Sequence, residues 1–336
     1  MSRAPGDGGL VFLTGATGFI GGRLAAALRD RGYRLRCLVR SESRAGRLEA
    51  LDAELVYGDT ADVDVLVRGM EGAALAYHVA GMYDIGLVDT AAMERANVGG
   101  TAAFVEAMRR TGLPRGVYVS STVALGPVPR GEGDERSRWN GPYPSHYHRT
   151  KTTAHHRALD AQADGLPLII ACPAYVYGPG DEGPAGHFVE DLLRHRLPAL
   201  PTKPTTFSYV YVDDVVDGLI AAGEIGRVGA TYVLAGEPAT TNEFARQTVA
   251  LAGTWVSPLR VPPVLVRATG ALMDGIRRVT GWRLPISREA AATAADGSRW
   301  VHSFRLAGEE LGYAPRPLAA GLPPTVRAAR EQLRGG

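Results

Sequence analysis

The chain has 336 residues, of which 45% are hydrophobic and 21% are charged, and its formal net charge is +2. This balance excludes the strongly basic surface by which a protein binds nucleic acid, and no run of about 20 apolar residues predicts a membrane span. The two cysteines, Cys37 and Cys172, are too few for a disulfide framework and lie in apolar runs. Because of these runs, we expect buried free thiols. Residues 1–9 show no signal-peptide pattern, so we expect a cytoplasmic location, and we expect no membrane partner.

Strand and helix patterns alternate through the first half of the chain. Short apolar runs predict strands, and runs of helical periodicity between them predict helices. Repeated β–α units of this size predict an α/β fold with a doubly wound parallel sheet that is covered on both faces. The predicted strands are Leu10–Leu13, Leu35–Val39, Glu54–Tyr57, Ala74–Ala80, Gly116–Ser121 and Leu168–Ala171, and the helices are Phe19–Asp30, Val63–Arg68, Ala91–Arg110 and Tyr147–Ala163.

The pattern changes after Pro173, where glycines and prolines predict a long loop. We expect residues 1–177 to form the domain that contains this sheet, with returns near 205–235. Residues 178–204 and 236–336 would form a smaller, mostly helical substrate lobe. The predicted elements here are helix His187–Arg196, strand Tyr209–Val212, helix Asp213–Glu224 with one of its aspartates as N-cap, strand Thr231–Leu234, and a helix capped by Thr241 or Asn242 that ends at Leu251.

An amphipathic segment, Val264–Thr280, stands out in the predicted lobe because its apolar positions are interleaved with arginines. Such a helix could lie on a membrane or dock a partner. We interpret it instead as a cover over the substrate cleft.

A glycine turn follows the first predicted strand and opens the first predicted helix. Its glycines are spaced G-x-x-G-x-x-G, whereas the usual dinucleotide fingerprint is G-x-G-x-x-G. Glycines let the backbone approach a pyrophosphate, and the free N–H groups of a helix N-terminus hold its negative charge. The residues assigned to this phosphate cradle are Gly15, Thr17, Gly18, Phe19, Ile20 and Gly21.

The ends of the next strands carry groups that suit the rest of a dinucleotide. Arg40 ends the second strand and Arg44 follows, where arginine accommodates the 2′-phosphate of NADP and an acid would bind the 2′-hydroxyl of NAD. Asp59 follows the third strand and would cap the adenine or serve as a turn residue. Ala80 and Gly81 leave room for the cofactor after the fourth. We therefore expect NADP, with NAD as the less favoured cofactor.

A serine, a tyrosine and a lysine form the candidate catalytic set. Ser121 ends the fifth predicted strand, and Tyr147 and Lys151 are spaced i, i+4 on one helix face. An ammonium group beside a phenol favours the phenolate, so Lys151 should lower the pKa of Tyr147 below its ordinary value of about 10. The serine hydroxyl would hold a carbonyl or alcohol oxygen.

These motifs together resemble the extended short-chain dehydrogenase/reductase family. Matching pieces occur through almost the whole chain: Thr14-Gly15-Ala16-Thr17-Gly18-Phe19-Ile20-Gly21, Gly58-Asp59, His78-Val79-Ala80-Gly81, Asn97-Val98-Gly99-Gly100-Thr101, Ser120-Ser121, Tyr147 with Lys151, Pro173-Ala174-Tyr175-Val176-Tyr177-Gly178-Pro179, Tyr211-Val212-Asp213-Asp214-Val215 and Leu311-Gly312-Tyr313.

The resemblance implies a Rossmann-type domain, a nicotinamide cofactor and roles for individual residues. Ser121 would polarise the substrate oxygen and Tyr147 would donate or accept the proton. Lys151 would lower the pKa of Tyr147 and bind the nicotinamide ribose. The resemblance also implies that Asn97 supports the site and that Pro173 and Val176 lie at the cofactor.

Within that family the chain is similar to the dihydroflavonol-reductase and 3β-hydroxysteroid-dehydrogenase-like branch. Sugar-nucleotide enzymes of the family usually carry an asparagine and an arginine where this chain has Ala174 and Phe207, so two polar contacts to a pyrophosphate are missing. Aromatic candidates would line a pocket for a small apolar or aromatic ketone. The substrate-pocket candidates are Tyr83, Trp139, Tyr143, His146, Tyr175 and Phe207.

The sequence thus predicts an NADPH-dependent carbonyl reductase, or the reverse alcohol dehydrogenase. Two alternatives stay open: a sugar-nucleotide epimerase or dehydratase with tightly bound NAD, and a non-catalytic dinucleotide sensor. We expect no metal site, since His148, His155 and His156 lack acidic or cysteine partners at ligand spacing. A homodimer is an expectation from the resemblance only.

Overall fold

Seven parallel strands form the main sheet of the computed structural model, which describes residues 8–42, 45–83, 89–197, 199–280, 293 and 295–335. Their order across the sheet is β10-β6-β5-β4-β1-β2-β3. Strands buried on both faces are near-continuous apolar runs, as in Leu10–Thr14, where every residue is buried. The strands are β1 (Leu10–Thr14), β2 (Arg34–Val39), β3 (Glu54–Tyr57), β4 (Leu75–His78), β5 (Gly116–Val119), β6 (Leu168–Pro173) and β10 (Thr231–Leu234).

Helices cover both faces of this sheet, as the sequence predicts for a doubly wound fold. On one face α1 packs against α8, and on the other α3 packs against α5 and α5 against α6. No helix among the described residues combines the length and the apolar character needed to cross a bilayer. The helices of this layer are α1 (Phe19–Asp30), α2 (Gly46–Glu49), α3 (Val63–Met70), α4 (Thr90–Glu94), α5 (Gly100–Thr111), α6 (His146–Ala163) and α8 (Val212–Glu224).

A second sheet contains one strand where the sequence predicted a loop and one strand that the sequence did predict. Tyr175–Tyr177 forms β7 and pairs in parallel with β9, Thr206–Tyr211, which starts three residues earlier than predicted. The strands β11 (Glu237–Thr240) and β13 (Arg299–Trp300) flank β9 in this sheet. The two remaining strands, β8 (Leu200–Pro201) and β12 (Arg260–Val261), pair with each other. The strand β7 has only three residues and is surrounded by prolines and glycines, so the sequence pattern favours a loop there.

Five further helices lie in the described part of the chain: α7 (Pro184–Leu193), α9 (Thr241–Leu251), α10 (Pro263–Thr280), α11 (Arg305–Leu311) and α12 (Leu318–Gly335). The predicted N-cap of α9 was wrong. Thr240 is the cap, because its hydroxyl accepts from Glu243 N and the Glu243 carboxylate accepts from Thr240 N. The helix α7 begins with Pro184 at its first position, three residues before the predicted start.

The aspartates that open α8 have a different role from the predicted one. The N-cap is Tyr211, and neither aspartate caps the helix. Asp213 pairs with Arg23 of α1 at 2.8 Å. Asp214 accepts from Arg316 N, Nε and Nη2 at 2.9, 2.9 and 2.8 Å, and the guanidinium lies 4.3 Å from the Tyr211 ring centroid. These two pairs join α8 to α1 and to the segment before α12.

We expect Asp214→Asn to lower the free energy of unfolding by about 1.5–3 kcal/mol, since it weakens three hydrogen bonds to a carboxylate that is largely withdrawn from water. The Asp214 side chain is 9% exposed, whereas that of Asp217, which pairs with Arg31, is 65% exposed. Asp217→Asn is the matched control and should cost under about 1 kcal/mol. Urea unfolding measures both, and equal losses would contradict this account.

Candidate active site

The glycine turn brings β1, β4 and the N-terminus of α1 into very close contact. Gly15 has φ +76°, and a Cβ atom there would lie 2.6 Å from Ala80 N. A Cβ at Gly21 would lie 2.1 Å from Gly15 O. Only glycine fits either position, so the predicted cradle is formed.

The N-terminus of α1 is open to an anionic ligand. Gly18 is the N-cap and has no side chain to accept from the first-turn N–H groups, and no acidic residue lies in that turn. Thr17 and Gly18 are exposed, and the helix dipole adds positive character at this end. The residues present therefore fit the pyrophosphate of a dinucleotide.

Arg40 and Asp59 lie close together beside this cradle. Arg40 is exposed at the end of β2, and its charge contributes to the lowered pKa of Asp59. The hydrogen bond from Ala61 N is the largest cause of that lowering, and Arg95 pairs with the Asp59 carboxylate at 2.5 Å. Asp59 is thus a turn residue with an arginine partner. Arg44 lies outside the described residues.

Asn97 ties the end of β4 to the candidate catalytic helix. Its Oδ1 accepts from Met82 N at 2.7 Å, and its Nδ2 donates to Met82 O and to Thr150 Oγ1, both at 3.0 Å. The predicted helix over 91–110 is interrupted here by a π-turn at Arg95–Gly99, a feature often found at functional sites. The π-turn places Asn97 so that it holds Gly81 and Met82 against α6.

Ser121, Tyr147 and Lys151 meet at the carboxyl end of β5. They are 8%, 8% and 7% exposed. Ser121 caps a short 3-10 turn, its Oγ accepting from Val123 N at 3.3 Å and donating to Pro173 O at 3.5 Å, and it lies close enough to Tyr147 to affect the pKa of that residue. Ser145 caps α6 by accepting from His148 N, which fixes the first turn that carries Tyr147. The three predicted side chains therefore share one site.

The electrostatics of the pair Tyr147 and Lys151 differ from the prediction. Burial raises the pKa of Tyr147 to about 12, and only the Ser121 hydrogen bond opposes it. Burial lowers the pKa of Lys151 to about 8, and its Nζ donates to Val119 O at 3.1 Å. The expected lowering of the Tyr147 pKa by Lys151 is wrong for the protein alone, because burial raises that pKa and Lys151 is not among the groups that lower it.

Five of the six predicted pocket residues belong to three aromatic contacts around Tyr147. The half-exposed Tyr83 ring packs on the Tyr147 ring at 4.7 Å between centroids. Tyr175 contacts Phe207 at 4.7 Å, and Trp139 contacts Tyr143 at 4.9 Å.

The structure places His146, the sixth, in a polar cluster instead of this wall. Its Nε2 contacts Thr90 O at 3.1 Å and lies 3.7 Å from Glu94. Sequence reasoning missed Trp300, which contacts both Trp139 and His148 at 5.3 and 5.0 Å. No motif surrounds Trp300 in the sequence, so no local signal could have found it.

The fold and this site define a Rossmann-type protein that binds a nicotinamide dinucleotide. Residues 11–235 match the model of the NAD dependent epimerase/dehydratase family, and the chain belongs to that family. It is an NAD(P)-dependent oxidoreductase of the extended short-chain dehydrogenase/reductase type.

Three similar proteins span nearly the whole chain. Sterol demethylase protein B of Methylococcus capsulatus is 30% identical over 326 residues, which cover 95% of this chain and 98% of that protein. A 4-hydroxy-2-methyl-3-oxo-4-farnesyl-3,4-dihydroquinoline-1-oxide ketoreductase of Stigmatella aurantiaca is 29% identical over 313 residues, 91% of this chain and 92% of that one. The crystal structure of gox2253 has 30% identity and a TM-score of 0.82, covering 97% of this chain and 99% of its own.

The close contact at Gly21 leads to a direct test of the cradle. Gly21→Ala should push α1 away from the glycine turn and weaken NADPH binding at least about tenfold, because its Cβ meets backbone that cannot give way. Gly22→Ala is the control, since its Cβ would lie 3.3 Å from Ala16 O. Titration of NADPH by fluorescence compares the two, and unchanged binding by Gly21→Ala would overturn the assignment.

Proposed function

We propose that the protein catalyses the NADPH-dependent reduction of a ketone or aldehyde on a small apolar or aromatic substrate, and the reverse oxidation of the alcohol. The observation that carries the proposal is the joint burial of Ser121, Tyr147 and Lys151 beside a dinucleotide cradle and under an aromatic wall. A bound nicotinamide supplies or accepts a hydride, which is chemistry that no protein side chain offers.

Each residue of the set has a separate task in this proposal. Tyr147 donates its phenolic proton to the carbonyl oxygen as the carbon is reduced, and its raised pKa keeps that proton in place at neutral pH. Ser121 donates a hydrogen bond to the same oxygen and stabilises its developing charge. Lys151 lies one helical turn further along α6, where its ammonium would hold the nicotinamide ribose. Asn97 positions α6 through Thr150.

The wall of the cleft favours an apolar substrate. Where a sugar nucleotide would need polar partners, Phe207 is 7% exposed and packs on Tyr175. Two similar proteins carry names that refer to a sterol and to a farnesyl-bearing oxo compound. We propose that the lobe of residues 178–204 and 236–336 sets this preference, together with the strand β9, which carries Phe207.

We propose NADP as the cofactor on the strength of Arg40. It is exposed at the tip of β2, where a 2′-phosphate would lie, and the nearby carboxylate of Asp59 is already paired with Arg95. A second candidate function, epimerisation or dehydration with tightly bound NAD, draws support from the family to which the chain belongs. A purified protein that retains NAD and consumes no NADPH with simple ketones would favour that function.

Tyr147→Phe should lower kcat for carbonyl reduction by about 10²–10⁴-fold and leave NADPH affinity unchanged, because it removes the proton donor and keeps the ring. Tyr33→Phe removes a hydroxyl that donates to Glu224 outside the site, and it should keep full activity. NADPH absorbance with a carbonyl panel measures both variants. Wild-type rates in Tyr147→Phe would refute the mechanism.

Arg40→Asp should weaken NADPH binding about tenfold or more and improve NAD binding, since a carboxylate repels the 2′-phosphate and accepts from a 2′-hydroxyl. Arg34→Asp, at the opposite end of the same strand, is the charge-matched control and should leave the ratio of the two affinities unchanged. Calorimetry gives both constants. An unaltered ratio in Arg40→Asp would remove this arginine from cofactor choice.

A further inference from the structure

The helix α10 presents its apolar stripe to the outside of the protein. Exposed fractions along the stripe are large: Leu265 52%, Leu272 65%, Ile276 40% and Val279 87%. At 100° per residue these four side chains fall on one face of the helix. The apolar stripe is therefore not the face by which this helix would cover the substrate cleft.

The opposite side of α10 is the one that faces the body of the protein. Gly270 is buried, and it is the single buried residue among those of α10 whose side chains are described. Most helices in proteins gain their stability by packing an apolar face. Val266 and Met273 are half-buried on the same side, whereas the apolar stripe of this 18-residue helix is exposed and needs another surface to cover it.

The segment before the helix also exposes large apolar side chains. Trp255 and Leu259 are 63% and 65% exposed, and Leu259 directly precedes the strand β12 that leads into α10. Tryptophan is enriched at membrane–water interfaces, where its ring lies at the level of the headgroups. The same stretch of chain thus offers an apolar helix face and an interfacial anchor.

The charge of this segment indicates which kind of partner would bind the surface. Residues 254–280 contain four arginines and one aspartate, whereas the whole chain is nearly neutral with a net charge of +2. The described arginines Arg260 and Arg267 are both exposed, and Arg267 falls on the helix side away from the stripe. Two copies of this chain would bring like charges together, whereas anionic headgroups complement them.

We propose that α10, together with Trp255 and Leu259, is a peripheral docking surface for anionic lipid bilayers. The helix would lie in the plane of the interface with its stripe among the acyl chains and its arginines at the phosphates. It would bring the protein to substrates that partition into the membrane. The docking does not depend on the catalytic proposal, because it needs neither cofactor nor turnover.

Vesicle co-sedimentation of the full chain tests this surface. We expect binding to phosphatidylcholine vesicles that contain phosphatidylglycerol, weaker binding to pure phosphatidylcholine, and loss with rising salt. Leu272→Glu should reduce the bound fraction about tenfold and Arg267→Ala should reduce it several-fold. Ile225→Glu is the matched control, since Ile225 is 61% exposed at the end of α8, and it should bind like the wild type.

Two results would overturn the proposal. One is wild-type protein that does not bind the anionic vesicles, or binds neutral vesicles equally well. The other is a dimer in sedimentation velocity that Leu272→Glu converts to a monomer, which would make a second copy the occupant. Thermal unfolding of each variant shows that the fold is kept, and NADPH binding measured on the same samples separates failure of docking from failure of the proposed function.

Discussion

The site depends on one constraint, which is the close packing of Gly15 between Gly21 on one side and Ala80 on the other. A distance of 2.1 Å from a hypothetical Cβ to a carbonyl oxygen leaves no room for any other residue. Because that contact brings the N-terminus of α1 against the ends of β1 and β4, the uncapped N–H groups of α1 and the candidate catalytic helix face the same cleft. The remaining features of the site are arranged with respect to this edge of the sheet.

Desolvation decides the protonation of the catalytic set. Tyr147 and Lys151 are both withdrawn from water, and burial favours the neutral form of each, raising one pKa and lowering the other. The spacing i, i+4 places them on one helix face, but it says nothing about the solvent that each has lost. Tyr147 therefore holds its proton over a wider pH range than a free tyrosine does, and a protonated phenol suits the proposed donation to a developing alkoxide.

Much of the main sheet could be predicted from the sequence, because its strands are continuous apolar runs that alternate with periodic helices. The second sheet could not, since β7 is short and lies among prolines and glycines. Asn97 was predicted to support the site, but the π-turn that aims it was not, because one extra residue in a helical turn leaves the apolar pattern nearly intact.

The candidate site residues also divide into those that the sequence predicted and those that only the structure shows. Local motifs identified Ser121, Tyr147 and Lys151, and three-dimensional contact alone identifies Trp300. His146 shares its helix with Tyr147, yet its position at the start of α6 turns it toward Thr90. For α10, the pattern predicted an apolar face, but periodicity does not tell what that face meets.

Transfer of deuterium tests the central claim most directly. NADPH deuterated at both C4 positions is incubated with the protein and a panel of apolar ketones, and the products are examined by mass spectrometry. The account predicts one deuterium on the carbinol carbon and stoichiometric formation of NADP. Product without deuterium, or a bound cofactor that returns its hydride to the same substrate with no net oxidation, would contradict it.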